Sequence, residues 1–254
     1  MEKDKELINS IMRAVQVLET LCEEDKEIGI SELSKRIDCN KSSAYRIIRT
    51  LTHTGLVSKN SETSKYYLGV KLLNLAVNKM NSFSIIPIAK PFLDKLSKDS
   101  NKVVSLNILE DNVVTCIDTS IPKSYKTHFY VRIGSRMPFH CSASGKVIAA
   151  FQEDHIISTY FENNLEVFTI NTLSDKEEIF NEIEKIRTNG YSTCNEEMEK
   201  NVIAIASPIR NIEGHVFASV CITMIKNSSE ISKEIIEQVR ECGASISKEL
   251  GFRN

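Results

Sequence analysis

The sequence predicts an α+β protein in two parts: a small helical domain with a β-hairpin, then a larger domain with a mostly antiparallel sheet. Three observations predict it. Apolar residues recur at helical spacing through residues 10–52, strand-like runs dominate residues 103–118 and 202–224, and positive charge concentrates in the first part. The 254 residues, 41% hydrophobic and 26% charged, supply apolar material for one large core or two smaller ones. No apolar run reaches the roughly 18 residues needed to span a bilayer. Residues 1–6 are charged with no apolar stretch behind them, so no secretory leader is expected. The seven cysteines are scattered and form no C-x-x-C pair, which fits a reducing cytoplasm.

The net charge of -2 hides an asymmetry. Residues 1–34 carry four basic and nine acidic side chains, whereas residues 35–79 carry nine basic ones opposed only by Asp38 and Glu62. A basic block between acidic segments suits a module that faces phosphate.

The first helix is expected from about Ser10, as N-cap, with Ile11, Val15, Leu18 and Cys22 as its apolar stripe. A second short helix follows from Ser31 to Ile37, with Leu33 and Ile37 on one face. The third runs from Lys41 to about Thr52 behind Asn40 as N-cap; Ala44, Ile47, Ile48 and Leu51 form its apolar stripe. Its other face carries Lys41, Ser42, Ser43, Tyr45, Arg46 and Arg49, the hydroxyl, phenol and guanidinium groups that a recognition helix offers to a major groove. Gly55 stops that helix. Two short strand-like runs, 56–59 and 65–68, then flank a polar tip, and Lys59 and Lys65 border it. Three helices and a hairpin with this charge read as a winged helix-turn-helix that binds double-stranded DNA.

A helical run from Gly69 to Met80 follows, then a longer helix from about Ile86 to Ser97, with Pro91 at an interior position that favours a kink or a later start. Residues 103–109 and 113–118 read as a hairpin turning through Glu110, Asp111 and Asn112; Phe129 to Ile133 reads as another strand. A helix is expected from Ser144 and another from Asp175 to Thr188, ended by Asn189 and Gly190. Strands at 202–206 and 215–224 and a last helix from about Ser229 to Leu250 complete the chain.

Several blocks then stand in a telling order. They are Ser10-Ile11-Met12-Arg13-Ala14; Lys41 to Arg46 followed by Leu51 and Gly55-Leu56-Val57; residues 134–146 (GSRMPFHCSASGK); Gly190-Tyr191, Glu196-Glu197 and Ala206-Ser207-Pro208; and Leu250-Gly251. In motif, order and spacing the chain resembles the IclR family of bacterial transcriptional regulators over roughly residues 10–250. The resemblance implies a winged helix-turn-helix domain at 1–70, a linker helix at 71–85 and a GAF-like effector-binding domain at 86–254. It also implies a homodimer or dimer of dimers on a pseudo-palindromic operator, more often as a repressor, under the control of a small organic or aromatic acid. No cofactor or metal is expected, and no residue is assigned a catalytic role.

Carried over by position, the effector pocket implied is Met137, Ala143, Ser144, Cys194, Ala204, Cys221 and Thr223. A helix starting near 142–145 would also present free N–H groups and a positive dipole end to a carboxylate, on physical grounds alone. The chain departs from members that bind small oxo-acids: they carry an acidic residue in place of Cys194, Cys in place of Ala204, and Ser in place of Cys221 and Thr223. Asn201 replaces a usual Gly. A less polar pocket and a larger or more apolar acid are therefore expected. Cys141, Cys194 and Cys221, with His140, leave open a metal- or thiol-redox-responsive regulator on the same scaffold.

Overall fold

A computed structural model describes residues 7–23, 27–81, 83–123, 131–161, 165–226 and 231–253. The chain divides into two compact units, one ending at Phe83 and the other beginning at Ser84.

The first unit contains α1 (Asn9–Glu23), α2 (Ile30–Arg36), α3 (Lys41–His53), the hairpin β1 (Val57–Lys59) and β2 (Tyr66–Leu68), and α4 (Lys71–Asn81). Val17, Leu21, Leu33, Ile37, Ala44, Ile48, Leu51, Val57 and Tyr66 form its core. Asn40 caps α3 as the sequence predicts, its side chain accepting from the Ser43 N–H at 2.8 Å. The end of α3 is a Schellman turn: the Leu56 N–H reaches the Leu51 carbonyl and the Gly55 N–H the Thr52 carbonyl, with Gly55 at φ 77°. A side chain at Gly55 would be strained, so the glycine fixes where the wing begins. Two details differ from expectation. Ser10 lies inside α1 rather than capping it, and α2 starts behind Gly29 with no side-chain cap. The buried face of α1 is Val17 and Leu21, while Ile11 and Val15 are 58% and 45% exposed. This helix has apolar residues on two faces, so its periodicity cannot select the inner one.

The second unit is built on a six-stranded antiparallel sheet in the order β5-β4-β3-β8-β7-β6. Its strands are β3 (Val103–Glu110), β4 (Val113–Ser120), β5 (Arg136–Met137), β6 (Ser192–Asn195), β7 (Val202–Arg210) and β8 (Val216–Ile225). Helices α5 (Ile85–Ser100) and α9 (Lys233–Glu249) cover one face. The other face carries α6 (Ala143–Ala150), which packs on β7 and β8 and is backed by α8 (Lys176–Asn189). A short α7 (Asp154–Tyr160) lies between them in sequence. The β3–β4 turn is the two-residue Asp111-Asn112, both at positive φ, which matches the twist of a hairpin. Helix α5 continues through Pro91 instead of starting after it. Asp175 caps α8 and Gly190 ends it in the left-handed conformation, as expected.

Of the strand expected from Phe129 to Ile133, residues 129 and 130 lie outside the described residues. Residues 131–133 are not strand, and the short β5 pairs with β4 instead. The start expected for the last helix, Ser229, also lies outside them; the observed α9 begins behind Ser232, which caps it. Sequence periodicity missed α7 and β6. Among the described residues no helix is long and apolar enough to cross a membrane.

Candidate functional site

The first unit presents a cationic face. Asn40 orders the start of α3, and Ala44, Ile48 and Leu51 seat it in the core, so the opposite side must face solvent. There Lys41, Ser42, Tyr45, Arg46 and Arg49 are all exposed, with Ser43 half-buried. Among the described residues Arg46 and Arg49 form no ion pair, so both guanidinium groups are available to an outside acceptor. On the wing, Lys59 and Lys65 are exposed and flank the tip; Lys59 Nζ lies 5.8 Å from the Tyr66 ring centre. The wing tip is tethered by a residue that sequence reading missed. Glu27 accepts hydrogen bonds from Asn60 Nδ2 and Thr63 Oγ1, each at 2.6 Å. These bonds, with the Lys65 charge in a lesser role, hold the Glu27 carboxyl below the usual carboxylate range. A further bridge joins Ile28 to Tyr66, so the segment before α2 runs alongside the wing.

The second unit encloses a cavity of about 90 Å³ between the sheet and the start of α6. All seven residues carried over by position line it: Met137, Ala143, Ser144, Cys194, Ala204, Cys221 and Thr223. The sheet register explains the grouping. Ser105 pairs with Cys221, which pairs with Ala206, and Val103 pairs with Thr223, which pairs with Ala204. Ser105, Met198 and Val202 also line the cavity, and the exposed Glu199 borders it; none was expected. Ser142 caps α6, its Oγ accepting from the Gly145 N–H at 2.9 Å. Ala143 and Ser144, the first two helical residues, have backbone N–H groups without intrahelical partners, and both residues line the cavity. A Cβ on Gly145 would lie 2.1 Å from the Pro138 carbonyl oxygen, so only glycine lets the 138–142 loop close over this helix start. Asn201 takes the left-handed conformation at φ 62°, as the usual glycine there would.

Beneath the cavity sits a buried ion pair. Lys146 Nζ lies 2.8 and 2.7 Å from the two Glu197 carboxylate oxygens and 3.5 Å from Glu182. Burial pushes the Glu197 carboxyl up, and Lys146 opposes that shift. The thiols are pushed up as well, chiefly by burial: Cys141 and Cys116 to about 12, Cys221 to about 11, and Cys194 upward. Protonated thiols are poor nucleophiles, which works against the thiol-redox alternative. Among the described residues no group of three or more His, Cys, Asp or Glu side chains is arranged to hold a metal. His140 is buried with Nε2 2.9 Å from the Glu166 carbonyl oxygen, a structural contact and not an alliance with a nucleophile.

Comparison with known proteins gives the same division of the chain. The family profile described as IclR helix-turn-helix domain matches residues 10–61, and that described as bacterial transcriptional regulator IclR C-terminal matches residues 77–248. The HTH-type transcriptional regulator KdgR of Dickeya chrysanthemi is 28% identical over all of this chain and 84% of its own length. The Escherichia coli regulator XynR is 29% identical over 97% of this chain and 98% of its own. Among solved structures, the Thermotoga maritima IclR superposes with a TM-score of 0.77 at 26% identity, covering 96% of this chain and 99% of that one. An IclR homologue from Microbacterium hydrocarbonoxydans complexed with 4-hydroxybenzoate shares the fold, with a TM-score of 0.80 at 22% identity over 95% and 98% of the two chains.

Proposed function

Since the chain belongs to the IclR family of bacterial DNA-binding transcriptional regulators, we propose that it is a cytoplasmic repressor whose grip on a pseudo-palindromic operator is set by a small carboxylic acid in the second-unit cavity. The reading is carried by the capped α3, whose exposed outer face carries Arg46 and Arg49, neither in an ion pair among the described residues, in the same unit as the exposed wing lysines Lys59 and Lys65. Arg46 and Arg49, with Ser42 and Tyr45, would enter the major groove, while Lys41, Ser43, Lys59 and Lys65 would meet phosphates. A homodimer, or a dimer of dimers, would place two such modules one helical turn apart. Exposed Ile11 and Val15 on α1 and Leu73 and Val77 on α4 supply apolar surface for that association.

The acid is supported by the helix start at Ala143 and Ser144 and by the Ser105, Ser144 and Thr223 hydroxyls around the cavity. Size favours a small ligand. About 90 Å³ is less than the roughly 150 Å³ of an engineered cavity that holds benzene, so an aromatic acid needs Met137 and Met198 to move. An acid of either kind would act by binding one arrangement of the two DNA-binding modules better than the other.

The test is selection of bound fragments from random duplex oligonucleotides at moderate salt, repeated with the Arg46→Ala/Arg49→Ala variant. An inverted repeat enriched by the wild type and lost by the variant is expected. No enriched sequence, with or without added carboxylic acids, overturns the reading.

A further inference from the structure

In the second unit, Asn107 sits in the middle of β3, fully buried and on the same sheet face as Ser105. It does not line the cavity, yet it touches two groups that do. Its Nδ2 lies 2.9 Å from Ser144 Oγ and 3.1 Å from Ser105 Oγ, while its Oδ1 has no hydrogen-bond partner among the described residues. We propose that Asn107 is the positioning residue that fixes the hydrogen-bonding polarity of this cavity: by donating to both serine hydroxyls it turns their protons into the lumen and selects a carboxylate over an uncharged ligand. The inference rests on the effector reading of the cavity given above.

Proton counting fixes the direction of each bond. An amide nitrogen carries two and a hydroxyl carries one. Two N–H donors meet two hydroxyl acceptors here, so both donors are satisfied and one acceptor, Oδ1, is left over. Turning the amide around would leave two donors unmet where Oδ1 now stands, the costlier arrangement, since an under-satisfied oxygen is better tolerated than orphaned N–H groups. With a lone pair of each hydroxyl taken by Asn107, each O–H must find its acceptor elsewhere. One acceptor beside them is the Cys221 sulfur: Cys221 is the cross-strand partner of Ser105, lines the cavity with Ser144, and has Thr223 Oγ1 at 3.9 Å. Sulfur is a weak acceptor, so a carboxylate oxygen entering the lumen displaces it readily. Two directed hydroxyls, Thr223 and the first N–H groups of α6 then converge on one anion, and charge-assisted bonds of this kind are the strong ones. The Glu199 carboxylate at the cavity border opposes an anion, but it is exposed and therefore screened.

The test compares matched ligands, propionate with propionamide and benzoate with benzamide, by calorimetric titration of the full-length protein. Wild type is expected to favour each carboxylate over its amide by at least tenfold. Asn107→Leu, which has similar volume and no donor, should lower that ratio severalfold. Asn107→Asp keeps at most one donor, on a protonated buried carboxyl, and should lower it to a lesser degree. A role confined to packing would weaken both members of a pair alike and leave the ratio unchanged. Should the Asn107 variants fail to fold, Ser105→Ala and Ser144→Ala each remove one of the directed donors and should lower the ratio on their own. Wild-type protein that binds none of the carboxylates overturns the effector reading and this inference together. Wild type that prefers carboxylates while Asn107→Leu, or both serine variants, keep the wild-type ratio overturns this inference alone.

Discussion

Replacing Lys146 with methionine removes the cation that Glu197 and Glu182 share. Both partners are shielded, with Lys146 3% and Glu197 10% exposed at the side chain. At contacts of 2.7 and 2.8 Å an effective dielectric of about 20 gives an attraction of roughly 6 kcal/mol. That figure is not the expected loss, because the stranded carboxylate can take up a proton instead of remaining charged. For a glutamate with an ordinary pKa of 4.5, neutralisation at pH 7 costs about 3.4 kcal/mol, and this caps the electrostatic damage. Without Lys146 the folded pKa of Glu197 rises well above its unfolded value. Stability from such a group is complete at low pH and is lost as pH rises toward the folded pKa. Lys146→Met should therefore cost up to about 3 kcal/mol near pH 7 and up to about 1.4 kcal/mol at pH 5.5, in each case less what the already raised wild-type carboxyl gives up. The protein has no tryptophan, so far-ultraviolet circular dichroism is the practical probe of unfolding. The near-neutral limit corresponds to a drop of about 6–12 °C in the Tm of the second unit. Lys146→Met/Glu197→Met should recover most of it, because a buried pair is often replaceable by apolar side chains. An equal loss at both pH values, or a loss under about 1 kcal/mol near neutrality, refutes the argument.

Three further outcomes are expected. Arg46→Ala should weaken operator binding by about 1–3 kcal/mol and relax sequence preference, whereas Lys59→Ala should weaken all duplexes alike and reduce the salt slope by about one; mobility shifts at several salt concentrations separate the two. Gly145→Ala forces a Cβ to within 2.1 Å of the Pro138 carbonyl, so it should displace the 138–142 loop and abolish ligand stabilisation of the second unit in a thermal melt, and an unchanged ligand response counts against the close approach. Glu27 has a lowered pKa, so the wing tether is present above the ordinary value of 4.5 and is lost as pH falls through the folded value; the Asn60 and Thr63 amide resonances should titrate together with a midpoint below 4.5. A midpoint at or above that value would remove the tether.

How much of this was legible in the sequence differs between the two units for a physical reason. The cap at Asn40, the stop at Gly55 and the charged face of α3 are local signals, each written within one turn of chain, and the structure places all three where they are expected. The inner face of α1 is not local. Ile11 and Val15 satisfy helical spacing as well as Val17 and Leu21 do, and only packing against α3 decides between them. Helix α7 has seven residues and β6 has four, mostly polar, too few for either period to emerge.

One part of the cavity stayed hidden for a physical reason too. Its seven expected residues came from positional likeness to a family, not from chemistry, and likeness says nothing about a residue that stands one layer behind the lining. Asn107 did leave a signal: Ser105 and Asn107 alternate with Val104, Leu106 and Ile108 along β3. In sequence that pattern reads as a strand with one wet face. In the structure both faces are dry, since α5 covers one side and α6 stands over the other, and all of residues 103–108 are buried. A polar stripe that folding takes out of water must be satisfied internally or serve a ligand. Here it is satisfied except at Asn107 Oδ1, and the hydroxyls it engages border the lumen. Ligand selectivity would then be encoded by a residue no ligand touches.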